Sequence, residues 1–306
     1  MAAPRNGRTA GSSGAWAHVV MLGAVFTFAS GMVVNKSLLL AISPGEVLAG
    51  QLLIGLVCLW AYLILRDGLP RLGRNCWWMI LMGLCAPGLV NVANILGMQR
   101  TSMVNVVILW SLMPLLIQLL GRLFLHEPLR GRLVLGCIIA FCGVLLILLS
   151  RYGKDVGSFQ GDLLVACAIL ASIVTQLLGR RVNQRSDSLT VATMQVTAAA
   201  ILALAAFPLL HGGGPYFDGW TTKVAIEMVY VGIVSTFLLF LLYNRALSDL
   251  PVGRIGLFMT LIPAIGTLGA TSYLGEAISA TDLMGLAVVM FGVGLPFLIG
   301  RLRRGS

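Results

Sequence analysis

The sequence predicts an all-α membrane protein, with ten transmembrane helices arranged as two inverted five-helix repeats. Three observations carry that prediction. Of 306 residues, 58% are hydrophobic and only 10% charged, where a soluble domain carries roughly 25% charged residues. Apolar runs bounded by charged residues, Pro or Gly fall at 16–35, 47–65, 76–98, 103–125, 133–150, 162–180, 189–210, 223–246, 254–274 and 283–300. Finally, a set of residues in the first half recurs at one fixed offset in the second. A spanning helix needs about 20 apolar residues, so ten spans use about 200 and leave about 106 for loops and tails. That excludes a soluble catalytic domain, and no GxxxxGK[ST] phosphate loop is present to argue otherwise.

Residues 1–15 form a polar tail, and the apolar run behind it is too long for a signal-peptide core. Span 1 then carries Thr27, Gly31 and Asn35 at successive turns, and Asn35-Lys36 opens a connection to Pro44-Gly45-Glu46. Span 2 holds Gln51 a few residues inside its start. Span 3 places Asn91 and Asn94 on one helical face, beyond Pro87. Span 4 puts Ser111, Pro114 and Gln118 on one stripe beside Trp110, and span 5 follows Glu127 with Gly136 and Gly143. Spans 6 and 7 contribute Ser172, Thr175, Gln176 and Gln195. Span 8 begins with Lys223 and Glu227 and ends near Tyr243-Asn244. Span 9 carries Thr260, Pro263 and Thr267, and span 10 follows Glu276 with Gly285 and Gly292. Residues 301–306 form a second short tail. No linker is long enough to separate soluble domains.

The repeat is read from residue identities. Pro114, Glu127, Gly136 and Gly143 recur 149 residues later as Pro263, Glu276, Gly285 and Gly292. The same offset pairs Gly83 with Gly232, Asn94 with Tyr243 and Ser111 with Thr260, while an offset of 144 pairs Gln51 with Gln195. Four matches in register over one motif make an internal repeat, dividing the chain into residues 16–150 and 162–300. Each half has an odd number of spans, so the second must enter the membrane in the opposite sense. Inverted repeats give a carrier two related conformations open to opposite sides, with the substrate near the midplane.

Orientation follows from charge. Sixteen of the 21 Lys and Arg residues lie on the side of both termini, and five (Lys36, Arg100, Arg151, Lys154 and Lys223) lie opposite. Basic residues mark the cytoplasmic side, so both termini are expected there. The net charge of +10 thereby reflects topology and gives no reason to expect nucleic acid as a partner. The six cysteines sit in or beside apolar runs without a CxxC, and His18, His126 and His211 are far apart in sequence. Neither set suggests a metal or redox centre, and no cofactor is expected.

Polar side chains inside a bilayer need a partner or a wet cavity, which makes them candidates for a binding site. The substrate-binding candidates are Thr27, Asn35, Lys36, Gln51, Asn91, Asn94, Trp110, Ser111, Gln118, Gln176, Gln195, Tyr243, Thr260 and Thr267. Each also has a structural reading: interhelical bonding for the amides, bonding to the helix's own backbone for the hydroxyls, an interfacial place for Tyr243, and an outer-rim anchor for Lys36. Pro114 and Pro263 each free a carbonyl one turn earlier and can bend their helices. Glu127 and Glu276 stand at span ends, where a carboxylate stabilises a helix N-terminus. Glu227 is the one carboxylate placed inside a span, with Lys223 available as an i,i+4 partner.

The doubled motif, Leu112-Met-Pro-Leu-Leu-Ile to Leu125-His-Glu-Pro-Leu and Leu261-Ile-Pro-Ala-Ile to Leu274-Gly-Glu-Ala-Ile, resembles the EamA-type transporters of the drug/metabolite transporter superfamily. The resemblance covers essentially the whole chain. It implies ten helices around a central cavity and movement of a small polar metabolite, commonly outward. One departure is Gln51, where many such proteins have an arginine. Asn35-Lys36 followed by Gln51 is also similar to the early Asn-Lys and Gln of nucleotide-sugar and triose-phosphate translocators, which implies an anion antiporter as the alternative. Eighteen arginines against three lysines point to a GC-rich bacterial genome, hence an inner membrane. The expected partners are a small-molecule substrate and membrane lipid, with monomer and homodimer both open. An enzyme is not expected, because no catalytic constellation converges.

Overall fold

The computed structural model describes residues 12–68, 76–98, 100–101, 103–128, 131–149, 158–213, 218–274 and 280–302. Among them every regular element is helical. In chain order these are α1 (Ser12–Leu39), α2 (Pro44–Asp67), α3 (Cys76–Gly83), a π-helical segment (Leu84–Leu89), α4 (Val90–Met98), α5 (Met103–Leu125), α6 (Gly131–Leu149) and α7 (Phe159–Arg185). There follow α8 (Ser188–His211), α9 (Thr222–Gly232), a second π-helical segment (Ile233–Leu238), α10 (Leu239–Asp249), α11 (Val252–Met259), α12 (Leu261–Leu274) and α13 (Ala280–Leu302). Among the described residues, six helical stretches are long and apolar enough to cross a bilayer: Ala15–Leu39, Pro44–Asp67, Cys76–Gly97, Phe159–Arg185, Ser188–His211 and Thr222–Asp249. Shorter apolar helices occupy Leu112–Leu125, Gly131–Leu146, Val252–Gly266 and Leu283–Pro296.

Local chemistry sets the ends. Ser43 and Glu46 form a capping box behind Pro44, which starts α2 where a missing proline N–H costs nothing. The Asp187 carboxylate accepts from the Leu189 and Thr190 amides, so α7 and α8 turn about within two residues. Thr221 starts α9 in the same way, and Gly212, with φ of 75°, ends α8. Helices α1 and α7 run several residues beyond the apolar stretches at 16–35 and 162–180, because a helix continues into its polar flank until a cap or turn stops it.

The two π-helical segments, Leu84–Leu89 and Ile233–Leu238, are 149 positions apart, so the repeat extends to backbone irregularity. In the first, Ala86 leaves helical geometry (φ −142°, ψ 128°) for the extended region that the ring of Pro87 favours in the residue before it. The second contains no proline. Helix α5 runs unbroken through Pro114, whereas its repeat partner breaks at Thr260, between α11 and α12, one turn before Pro263.

Packing follows the repeat as well. Helix α1 lies on α10 and α12, as α7 lies on α4 and α5, and α3 packs on α8 as α9 packs on α2. Helices α6 and α13 form the most extensive pair. A Cβ on Gly136 would sit 2.6 Å from the Gly292 carbonyl oxygen, and one on Gly143 would sit 2.7 Å from that of Gly285. Residue number rises along α6 while it falls along α13, so the two helices are antiparallel. Exchanging the halves converts the first of these contacts into the second. The interior between α1, α6 and α10–α13 is filled by Met21, Val25, Cys137, Ala140, Leu247, Ile255 and Val289. Phe26, Val57, Leu65, Trp77 and Phe159 are exposed on the outside, as a lipid-facing surface requires.

Candidate transport pathway

Two sets of polar side chains bind one helix to the next. The first is an amide chain that ends on the Asn183 oxygen, which is buried without a partner. Gln195 on α8 donates to the Ala86 carbonyl, the group set free by the π-helical segment, at 2.7 Å. Its oxygen accepts from Asn244 on α10 at 3.0 Å, and the Asn244 oxygen accepts from Asn183 on α7 at 2.8 Å. All three are buried, Asn244 completely. In hydrocarbon a freed carbonyl must find a donor, and Gln195 supplies it.

The second set joins α4, α5 and α7. On α4, the Asn94 oxygen accepts from the Trp110 indole of α5 at 3.0 Å. One turn further along α5, Met113 receives the Gln176 amide of α7 at 3.9 Å, and the Gln176 oxygen is buried with no partner. Asn91 is half-buried one turn before Asn94. Helices α4, α5 and α7 thus bring Asn91, Asn94, Trp110 and Gln176 to adjoining positions. Asn35 on α1 donates to Gln51 on α2 at 3.2 Å, and its own oxygen is buried without a partner. Lys36 is exposed next to it.

The hydroxyls of Thr27 and Thr260 serve their own helices. Thr27 donates to the Ala24 carbonyl at 2.9 Å and Thr260 to the Leu257 carbonyl at 2.7 Å. The Thr27 carbonyl also receives the Ser235 hydroxyl at 3.4 Å, and a Cβ on Gly31 would overlap the Ser235 side chain. Here α1 meets the second π-helical segment directly. Tyr243 is half-buried and packs against the α1, α6 and α10–α13 interior. The side chains of Ser111, Pro263 and Thr267 lie outside those described.

Call the end of the bundle where α1 begins the terminal end. A cavity of about 200 Å³ opens there, lined by Gln118, Glu127, Leu133, Arg180, Gly253 and Arg254 among others. Gln118 donates to the Pro114 carbonyl at 3.1 Å and to the Cys137 sulfur at 2.9 Å. Glu127, at a span end as the sequence places it, serves a helix N-terminus 125 residues away. It accepts from the Val252 amide at 3.1 Å, at the start of a helix that has no side-chain cap of its own. Arg180 stands 3.6 Å from Glu127 and donates to the Leu247 and Ser248 carbonyls at 2.9 and 2.8 Å. At the opposite end, Glu227 on α9 has Lys223 at 3.5 Å, as the sequence spacing allows. It also accepts from Ser37 of α1 at 2.9 Å and Tyr273 of α12 at 2.6 Å.

Ser37, Asn183, Ser235 and Tyr273 were not singled out by sequence reasoning. Only Asn183 carried a usable signal, an amide one turn beyond an apolar run. Among the described residues, no group of three or more His, Cys, Asp or Glu side chains is placed to hold a metal ion.

Comparison with known proteins fits this arrangement. An uncharacterized transporter, YetK, of Bacillus subtilis (strain 168) is 23% identical over 90% of this chain and 85% of its own length. A probable amino-acid metabolite efflux pump of Salmonella typhimurium (strain LT2) is 22% identical over 60% of this chain and 64% of its own. One solved crystal structure superposes with a TM-score of 0.80 at 20% identity, covering 93% of this chain and 99% of that one, which shows a shared fold. The model of the EamA-like transporter family matches twice, at residues 15–149 and 159–298. With both halves matched, the chain belongs to the EamA-like transporter family and is a multi-pass membrane transporter, not an enzyme.

Proposed function

We propose that the protein is a secondary carrier that exports a small neutral or zwitterionic metabolite, such as an amino acid, by alternating access. In this reading ten spans form two inverted five-helix repeats, both termini are cytoplasmic, and the membrane is a bacterial inner membrane. The observation that carries it is the reciprocal contact of α6 with α13, because a structure that exchanges its halves onto one another has two equivalent ways of opening. The substrate would lie against Asn91, Asn94, Trp110 and Gln176, with Thr27, Asn35, Gln51, Ser111, Gln118, Thr260 and Thr267 as further candidates. These side chains are all neutral. Amide donors and acceptors suit a zwitterion, and an indole suits an apolar side chain. The names of two relatives, both probable amino-acid metabolite efflux pumps, point the same way. A panel of radiolabelled amino acids offered to proteoliposomes tests this. At least one should move faster than into protein-free vesicles, and no movement of any, with exchange of a sugar phosphate instead, would contradict it.

One observation favours the anion antiporter: Lys36 is exposed directly beside the Asn35–Gln51 pair. In that reading Lys36→Ala abolishes exchange of a phosphate-bearing substrate. Flux in the variant within about twofold of the wild type removes this support, since a lost charge-assisted contact costs at least about tenfold.

A further inference from the structure

Two carboxylates join the halves of the chain at opposite ends of the bundle. At the terminal end Glu127, in the first half, is bonded to the Val252 amide and ion-paired with Arg180, both in the second. Arg180 extends the junction to the carbonyls that end α10. Glu127 and Arg180 line the same cavity as Gln118. At the opposite end Glu227, in the second half, is bonded to Ser37 in the first and to Tyr273 on α12. Its carboxylate is 5% exposed, and Lys223 covers it from outside, with its ammonium 5.9 Å from the centre of the Tyr273 ring. Both are multiply bonded carboxylates that span two or more helices, one at each end of the expected path.

Opening either face by moving one half against the other has to separate these groups. Opening the terminal end pulls Glu127 from α11 and Arg180, and opening the other pulls Ser37 from Glu227. We propose that Glu127 and Glu227 are positioning residues that each hold one face shut, and that weakening either one shifts the resting population toward the conformer open on that face. This rests on the alternating-access reading. Its consequence is reciprocal, because a population moved toward one conformer is removed from the other. A carboxylate that merely braced its surroundings would have no effect at the far end.

Hydrogen exchange of the full-length protein in nanodiscs, read by mass spectrometry, separates the two. Glu127→Gln should speed exchange severalfold at residues 124–128 and 247–254 and slow it at residues 36–46 and 222–228. Glu227→Gln should do the opposite, and the double variant should bring both faces back toward the wild type. Arg180→Gln should reproduce Glu127→Gln, and Tyr273→Phe should reproduce Glu227→Gln in milder form, so the test survives poor folding of either glutamine variant. Faster exchange confined to the substituted end, with the far end unchanged in these variants, overturns the proposal. Flux is measured in the same preparations. Reciprocal exchange without any flux sinks the transport reading and keeps the two-latch device, whereas flux without reciprocity does the reverse.

Discussion

Gln195 and Asn94 are both amides inside helices, and sequence alone treats them alike. Their surroundings differ. Both heteroatoms of the Gln195 amide have protein partners, and Asn244 joins it to Asn183 where no water reaches. Asn244→Ala leaves the Gln195 oxygen unpaired and takes one of its two acceptors from the Asn183 amide, which keeps the Gly179 carbonyl, and a buried unpaired group costs about 1–3 kcal/mol. Thermal unfolding in detergent should show a clearly lowered Tm. Asn94→Ala and Trp110→Phe remove a bond between half-buried groups, so the account expects a Tm close to wild type and a several-fold rise in KM for transport. A Tm loss for Trp110→Phe equal to that of Asn244→Ala, with KM unchanged, would assign Trp110 to packing. The sequence identifies which spans carry amides; it does not reveal that the Ala86 carbonyl needs a donor, since that need arises only when α8 packs on the π-helical segment.

At the scale of elements, glycine spacing was the most legible feature. Gly136, Gly143, Gly285 and Gly292 stand out from the repeat alone, and they are where α6 and α13 touch through their backbones. A Cβ on Gly292 would lie 2.6 Å from the Ala140 nitrogen and 2.7 Å from the Gly136 oxygen, while one on Gly294 meets nothing within 4 Å. Gly292→Ala should therefore destabilise by about 1–3 kcal/mol through forced separation of the helices. Gly294→Ala should be neutral or stabilise by about 0.5–1 kcal/mol through helix propensity. Chemical unfolding of both variants checks this, and equal effects would mean that the interface yields freely. The helix interruptions were less legible. Pro87 stands inside one interruption and Pro263 one turn after another, yet Pro114 lies in an unbroken helix; Ile233–Leu238 holds no proline, and only the repeat with Leu84–Leu89 would have suggested it.

For the whole molecule, the sequence revealed the class through scarcity of charge and the symmetry through a single offset, because both are properties of residue identity. Cross-half bonds such as Glu127 to Val252 and Glu227 to Ser37 were out of reach, because their partners are 125 and 190 residues away and nothing in the intervening chain predicts the pairing. Those bonds, the exchangeable packing of the two halves and the neutral amides beside Trp110 support the proposed reading, a carrier that turns over by reorienting around its substrate. Such a carrier returns faster loaded than empty, a property that an open pore lacks. The most direct measurement is counterflow: proteoliposomes are loaded with an unlabelled neutral amino acid that the protein moves, then diluted into a trace of the labelled compound. The account predicts transient accumulation of label above its equilibrium level, lost when the internal amino acid is omitted. Entry of label at the same rate and to the same level with or without internal amino acid would contradict it.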